Sequence, residues 1–240
     1  MSYSTHGLLL FALFFINKAV LQAQSIPRPP SKLFVMETLD TLYFGGFSEN
    51  KKIPDAIRLQ VLTALSFYPE LAKTRIIFRM RKRKTPLASR PQLWSVFKKR
   101  KNRTYIITIS TASNDQLSPI LLNQLPFNAQ IGVLGHELGH SAYYDTKSTF
   151  QLLGLSFKLL RSKNTDAFEF NTDRICIDHG LGYQLYDWSK YVREVFQIKA
   201  WRGASEGAVK LDTTSVDQRY MNPPTIKKYM DQNPIYANMH

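Results

Sequence analysis

The chain has 240 residues, of which 44% are apolar and 12% aromatic, and its 32 Lys and Arg against 18 Asp and Glu give a formal net charge of +14. This composition supports a sizeable core and excludes a disordered chain, a collagen-like fibre and a small disulfide scaffold. Cys176 is the only cysteine, so no disulfide can form within the chain. The charge is compatible with acidic substrates, anionic lipid surfaces and nucleic acid, and does not choose among them.

The amino-terminal segment has the pattern of a signal peptide. Residues 8–16 form an apolar run, and small residues at Ala23 and Ser25 suit cleavage. We therefore predict a signal peptide over about residues 1–23 and an exported, secreted or periplasmic, protein. No Lys or Arg precedes the run, so an uncleaved anchor or a buried helix stays open. No later stretch reaches the ~20 apolar residues of a membrane-spanning helix, so we expect no transmembrane span in the mature chain.

The rest of the chain is predicted to be an α+β domain over residues 51–240, after a proline-rich extended leader over residues 24–50. Residues 54–71 have helical periodicity, and residues 74–80 and 104–111 are predicted strands. Four helices are then expected, over residues 128–144, 150–160, 165–179 and 182–200. A further short helix is expected near the carboxyl terminus. This order indicates a small mixed or antiparallel sheet packed on a helical half.

An H-E-x-x-H motif lies in the first of these later helices. His136 and His140 are four residues apart, so both imidazoles lie on one face of a helix and can reach one metal ion. Glu137 is rotated by about 100° from His136 and could take a proton from a metal-activated water. The motif also occurs by chance in helices, in which case no metal binds.

Three glycines lie beside the histidine face of this helix: Gly132, Gly135 and Gly139. Each costs roughly 1 kcal/mol relative to Ala inside a helix. Because apolar residues flank them, we expect a close approach of another backbone here rather than a frayed helix.

A catalytic zinc site needs a third protein ligand. The metzincin continuation fails, because Tyr143 and Thr146 stand where it requires Gly and His. Glu169 is a candidate in a helix that also carries Asp166 and Asp173, and Asp173 could accept the free N–H of His136 or His140. A solvated acidic face and a ligand from Asp178 or His179 stay open.

The pairing of His136-Glu137-x-x-His140 with a later Glu169-x-x-x-Asp173 resembles the gluzincin zinc metallopeptidases, most closely the CAAX-processing zinc peptidases and the minigluzincins. The resemblance covers about residues 128–180. It implies a zincin-like domain in which His136, His140 and Glu169 bind Zn²⁺, Glu137 is the general base and acid, and Asp173 supports a ligand. It also implies an edge strand that pairs with a peptide or protein substrate, a place that residues 104–111 occupy.

Nothing in the sequence selects the donor that would stabilise the oxyanion formed during peptide hydrolysis. The candidates that follow the glutamate helix are His179, Tyr183, Tyr186 and Tyr191. For each of them a core or surface role is the simpler expectation.

Residues 79–103 hold eleven Lys or Arg and no acid, with Trp94 and Phe97 among them. This stretch could bind phosphates, lipid headgroups or an acidic polypeptide, or could be a solvated loop in an elaborated hairpin. No nucleic-acid-binding fold signature accompanies it, so no specific nucleic acid is predicted. Residues 150–160 are expected to form a core helix, with a membrane contact as the alternative, and Cys176 is expected to be a buried thiol.

Taken together, these patterns predict a zinc-dependent metalloendopeptidase that cleaves peptide bonds with Glu137 as general base. Two alternatives remain open. The first is a basic binding module for anionic lipid, nucleic acid or an acidic partner that keeps a structural or inactive zinc site. The second is a zinc hydrolase of a non-peptide amide.

Overall fold

The computed structural model describes residues 28–39, 44–198 and 219–238. The predicted signal peptide lies outside the described residues. The predicted α+β fold is confirmed: one four-stranded sheet is followed by a set of helices. None of the described helices combines the length and apolar character needed to cross a membrane.

The sheet has strands β1 (Lys51–Lys52), β2 (Arg75–Met80), β3 (Leu87–Pro91) and β4 (Thr104–Ile109), in the order β1-β2-β4-β3. Strands β1, β2 and β4 are parallel, and β3 is antiparallel to β4. The expectation that residues 104–111 form an edge strand is wrong, because β4 pairs with a neighbour on each side. β3, which lies within the basic stretch, is the edge strand instead.

The described helices are α1 (Gly45–Ser48), α2 (Arg58–Leu65), α3 (Phe127–Asp145), α4 (Thr149–Lys158), α5 (Ser162–Asp178), α6 (Gly182–Phe196) and α7 (Pro223–Asp231). Helices α2 to α7 follow the predicted order with shifted ends, whereas the short helix α1 was not predicted and lies in the segment expected to be an extended leader. Short 3-10 turns join several of the helices and strands. One of these turns, Leu93–Phe97, lies between β3 and β4.

The helix predicted over residues 54–71 is shorter than expected. Its α-helical part is α2 alone, flanked by 3-10 turns at Asp55–Ile57 and Pro69–Leu71. Tyr68 leaves the helical region at φ −121° and ψ 70°. A residue before proline is disfavoured in the α conformation, so Pro69 explains the early end.

Helix α3 is the centre of the molecule, packed against α2, α5, α6 and the edge strand β3. The close approach predicted from its glycines is confirmed. A Cβ atom added at Gly132 would lie 2.1 Å from the backbone oxygen of Gln184 in α6, and one at Gly135 would lie 2.5 Å from a methyl group of Leu181. Cys176 is fully buried in α5, as predicted.

Part of the predicted leader also belongs to the core. Phe34 is buried, and its backbone N–H donates to the side-chain oxygen of Asn128 on α3. The side-chain amide of Asn128 in turn donates to the Phe34 carbonyl. This reciprocal pair holds the segment against the start of the histidine helix.

Candidate metal centre

Two helices bring together the three predicted metal ligands. Helix α3 carries His136 and His140, and α5 crosses it with Glu169. Both imidazole Nε2 atoms lie 3.1 Å from the same carboxylate oxygen, Oε2 of Glu169. The ligand atoms of all three residues lie within 4.8 Å of one another, which is close enough for one metal ion.

The other ring nitrogens of the two histidines have partners that fix the tautomers. Nδ1 of His136 donates to Oδ1 of Asp173 over 2.8 Å. The Thr172 hydroxyl donates to the carbonyl of Phe168, so it accepts the N–H of His140 Nδ1, 3.1 Å away. The Nε2 atom of each imidazole therefore faces Glu169: it donates to the carboxylate when the ring is protonated, and it can offer its lone pair to a metal ion when the ring is neutral.

The carboxylates of the cluster favour a positive charge beside them. Burial alone would lower the pKa of His136, but hydrogen bonds to Asp173 and Glu169 outweigh it and raise this pKa to about 10. Burial would likewise raise the pKa of Glu169, and the two histidines hold it well below its usual range instead. A cation at this point would be stabilised by the same carboxylates.

Glu137 is buried beside the cluster with one free carboxylate oxygen. Among the described residues, its Oε2 atom has no hydrogen-bond partner. Burial raises the pKa of this carboxyl group, and the nearby histidines and the backbone of Ser89 in β3 oppose that rise. A buried carboxylate oxygen without a partner is costly, so it indicates a site built for a further group.

A cavity of about 80 Å³ opens beside His136 and Glu137. One of its walls is the start of β3, where Thr85, Pro86 and Leu87 contribute. Trp188 and Tyr220 also line the cavity and pack edge to face with ring centres 5.7 Å apart.

Tyr220 is a site residue that the sequence did not indicate. Its ring centre lies 5.6 Å from that of His136. Burial, together with the carboxylates of Glu169, Glu137 and Asp173, raises the pKa of its hydroxyl well above the usual value, so it stays a proton donor. Tyr220 follows the helices without motif or periodicity, and only its aromatic character could have marked it.

The four ring side chains considered for the oxyanion donor lie away from this cavity: His179, Tyr183, Tyr186 and Tyr191. The imidazole of His179 contacts Glu70, and Tyr183 packs edge to face on Tyr236. The Tyr191 hydroxyl donates to the carbonyl of Gln124, and Tyr186 packs on the core. The core or surface role that was the simpler expectation for each of them is therefore what the structure shows.

The alternative metal ligands are also engaged elsewhere. Asp178 accepts a hydrogen bond from Asn233, and His179 contacts Glu70. Asp166, part of the acidic face that could have been solvated, pairs with Arg219. Glu169 is thus the carboxylate that completes the cluster, and Asp173 is the one that supports His136, as predicted.

The donor set suits a divalent transition metal. Two imidazole nitrogens and one carboxylate oxygen, nearly buried and with oriented tautomers, form a three-ligand set of the kind used by catalytic zinc sites. Comparisons with protein-family models, with curated proteins and with solved structures find no match to this chain.

Proposed function

We propose that the protein is a zinc-dependent peptidase of gluzincin type. The observation that carries this proposal is the buried His136, His140 and Glu169 cluster with the unpartnered carboxylate oxygen of Glu137 beside it. The apolar run over residues 8–16 supports the further proposal that the enzyme is exported.

In this proposal, the three clustered residues hold the zinc ion and Glu137 moves the protons. Zinc would supply a lowered pKa for the attacking water and polarisation of the scissile carbonyl. Glu137 would accept a proton from the attacking water through its free Oε2 atom and pass a proton to the leaving amine. Burial raises the pKa of Glu137, which makes it a stronger base than a solvated glutamate.

Tyr220 is the proposed donor to the carbonyl oxygen of the substrate. It lines the same cavity as Glu137, and its raised pKa keeps its hydroxyl protonated. A neutral donor that points at the developing negative charge stabilises the transition state more than the ground state.

The edge strand β3 favours an extended peptide as substrate. It pairs with β4 on one side, its start lines the cavity, and the backbone of Ser89 contacts Glu137. A peptide that adds to the side of β3 that has no strand partner among the described residues would run past Glu137, and main-chain hydrogen bonds would align it.

The test compares peptide hydrolysis by zinc-loaded parent protein and Glu137→Gln, with a set of fluorogenic peptides and unfolded casein as substrates. We expect Glu137→Gln to bind zinc normally and to lose at least about a hundredfold in kcat/KM. Glu194→Gln, on the exposed face of α6, is the matched control and should keep full activity.

Equal hydrolysis by the parent and Glu137→Gln would contradict the proposal. Zinc binding without cleavage of any peptide would favour the other readings of the site, a structural zinc or a non-peptide amide substrate. A zinc-dependent release of amine from such an amide, lost in Glu137→Gln, would identify the second of these.

A further inference from the structure

Seven large apolar side chains are exposed on one region of the surface, which we call the apolar surface. Four of them lie on or just after α4: Phe150, Leu153, Phe157 and Leu160. The other three lie in the Leu93–Phe97 turn: Leu93, Trp94 and Phe97. The exposed fractions are 85% for Phe150, 73% for Phe157, 81% for Leu160 and 76% for Trp94. Exposed apolar side chains grouped in this number indicate a binding surface.

Helix α4 has two apolar faces, of which the core uses one. Leu152 is buried and Leu155 and Leu159 pack on the core. At about 100° per residue, Phe150 and Phe157 point to roughly the opposite side. The expectation that residues 150–160 form an ordinary core helix is therefore only half right.

The two segments of the apolar surface are fixed to each other. The hydroxyl of Thr149, the first residue of α4, donates to the carbonyl of Val96 in the Leu93–Phe97 turn. The buried guanidinium of Arg103 bonds both the Lys147 carbonyl and the Thr149 hydroxyl. The two segments are thus neighbours in the fold.

Positive charge surrounds this surface. Lys98, Lys99, Arg100 and Lys101 follow directly after Phe97 and are exposed, and Lys158, Arg161 and Lys163 flank the end of α4. Of these, Arg100 is paired with Asp145. No Asp or Glu occurs over residues 146–165 or 79–103.

Strand β3 separates this charge from the rest of the basic stretch. Arg81, Lys82 and Lys84 follow the carboxyl end of β2, where the backbone N–H of Arg83 donates to the Ser110 hydroxyl just after β4. Lys98–Lys101, in contrast, precede the amino end of β4. The two basic groups therefore lie at opposite ends of the sheet, and only the second adjoins the apolar surface.

We propose that the apolar surface docks on an anionic lipid bilayer. Aromatic and leucine side chains would enter the headgroup–acyl boundary while the surrounding lysines and arginines contact lipid phosphates, as in interfacial amphipathic helices. A second copy of the chain is disfavoured, because a symmetric contact would bring like charges together. Nucleic acid is disfavoured because leucines cannot stack on bases as aromatic rings do.

The position of α4 connects this surface to the metal centre. α4 follows α3, which carries both histidines, and precedes α5, which carries Glu169. Docking would hold the catalytic domain next to the membrane surface. The docking proposal itself rests on the apolar and charged residues and stands whether or not the protein cleaves peptides.

The test is flotation of the full chain with vesicles of phosphatidylcholine and with equimolar phosphatidylcholine and phosphatidylglycerol. A polarity-sensitive dye on Gly154→Cys reports where the chain binds, because that position has open space around it and the native Cys176 is buried. We expect binding to the anionic vesicles, with a blue shift of the dye.

Two pairs of matched variants complete the test. The partition coefficient should fall at least roughly tenfold in Trp94→Ser/Phe157→Ser and in Lys98→Gln/Lys99→Gln/Lys101→Gln. It should be unchanged in Leu33→Ser/Ile235→Ser, which removes exposed apolar side chains elsewhere, and in Arg81→Gln/Lys82→Gln/Lys84→Gln, which removes the same charge at the other end of the sheet.

Several results would overturn the docking proposal. These are the absence of binding to anionic vesicles, a dye that stays in water while the chain floats, and equal losses in both members of a pair. Dimerisation or oligonucleotide binding that needs Trp94 and Phe157, without vesicle binding, would assign the surface to that partner instead. Circular dichroism of each variant separates a lost contact from a lost fold.

Discussion

Asp173 connects the His136, His140 and Glu169 cluster to the carboxyl-terminal segment of the chain. One of its oxygens accepts the N–H of His136, and the other accepts the backbone N–H of Met221 over 2.7 Å. Met221 follows Tyr220, so the carboxylate that orients His136 also anchors the segment that brings Tyr220 to the cavity. One buried side chain thus positions residues on both sides of the site.

Asp173→Asn should weaken zinc binding by roughly 10- to 100-fold. The amide can still accept one hydrogen bond, but it lacks the charge that supports His136, and its NH₂ group cannot accept the Met221 N–H. Zinc affinity measured by competition with a chromogenic chelator checks this. Asp178→Asn, at the exposed end of the same helix, should bind zinc like the parent, and an unchanged affinity in Asp173→Asn would contradict the role given to it.

Residues with periodic spacing could be predicted at this scale, and residues without it could not. His136, Glu137 and His140 follow from one helical turn, and Glu169 with Asp173 from the next suitable helix. Thr172 and Tyr220 act through contacts between elements distant in sequence, which spacing does not encode. Nearness in sequence to Glu169, which Tyr183, Tyr186 and Tyr191 share, likewise selects no side chain for the cavity.

At the scale of elements, the crossing of α3 and α6 depends on the absence of a side chain. Gly132 allows the backbone of Gln184 to touch that of α3, and Gly139 lets Thr172 approach on the side of the metal cluster. The same helix then presents its histidines to α5. Close helix packing and the grouping of His136 and His140 with Glu169 therefore depend on the same helix, α3.

Gly132→Ala should destabilise the protein by roughly 3 kcal/mol or more, because the added Cβ atom would overlap backbone that cannot move without separating the helices. Gly154→Ala in α4 is the control, since nothing lies within 4 Å of its added Cβ. It should gain up to about 1 kcal/mol from helix propensity. Urea unfolding measures both, and a Gly132→Ala variant as stable as the parent would disprove the close crossing.

The end of α5 is tied to the Pro69–Leu71 turn by a charged pair. His179 stacks on Tyr68, and its Nε2 atom lies 2.9 Å from Oε1 of Glu70. Burial alone would lower the pKa of His179, but Glu70 and the Ile175 carbonyl outweigh this and raise it. Protonated His179 also lies at a helix carboxyl terminus, where positive charge is favourable.

The pair should make stability fall at alkaline pH. A raised pKa contributes stability fully below the unfolded value of about 6.5 and loses it as the pH rises through the folded value. We expect the free energy of unfolding of the parent to exceed that of Glu70→Gln at about pH 6 by up to about 1 kcal/mol, since Glu70 is largely solvated. The difference should shrink by about pH 9, and a constant difference would contradict the pairing.

The sheet shows where propensity and structure differ. β2 and β4 are rich in Ile and were predicted, whereas β3 has the sequence LASRP, with Pro at its last position and little strand propensity. It is a strand because the predicted strand β4 offers it backbone partners and α3 covers it. Its place as the edge strand could therefore not be predicted from its own residues.

At the scale of the whole molecule, the fold separates three candidate functional features. The group of His136, His140 and Glu169 is largely buried between α3 and α5. The edge strand β3 opens beside it, and the apolar surface with its lysines lies on α4 and the turn before β4. The net charge of the sequence predicted an anionic partner in general, but the division of the basic stretch by β3 decides which lysines adjoin exposed apolar side chains.

The central claim is that His136, His140 and Glu169 hold one zinc ion, and the most direct test is the metal content of the purified, zinc-equilibrated chain after removal of excess metal. The account predicts about one zinc per chain in the parent. It predicts a loss of bound zinc in both His136→Ala and Glu169→Ala, with the metal content of the Glu194→Gln control unchanged. A parent without zinc, or a Glu169→Ala variant that keeps it, would contradict the three-ligand site.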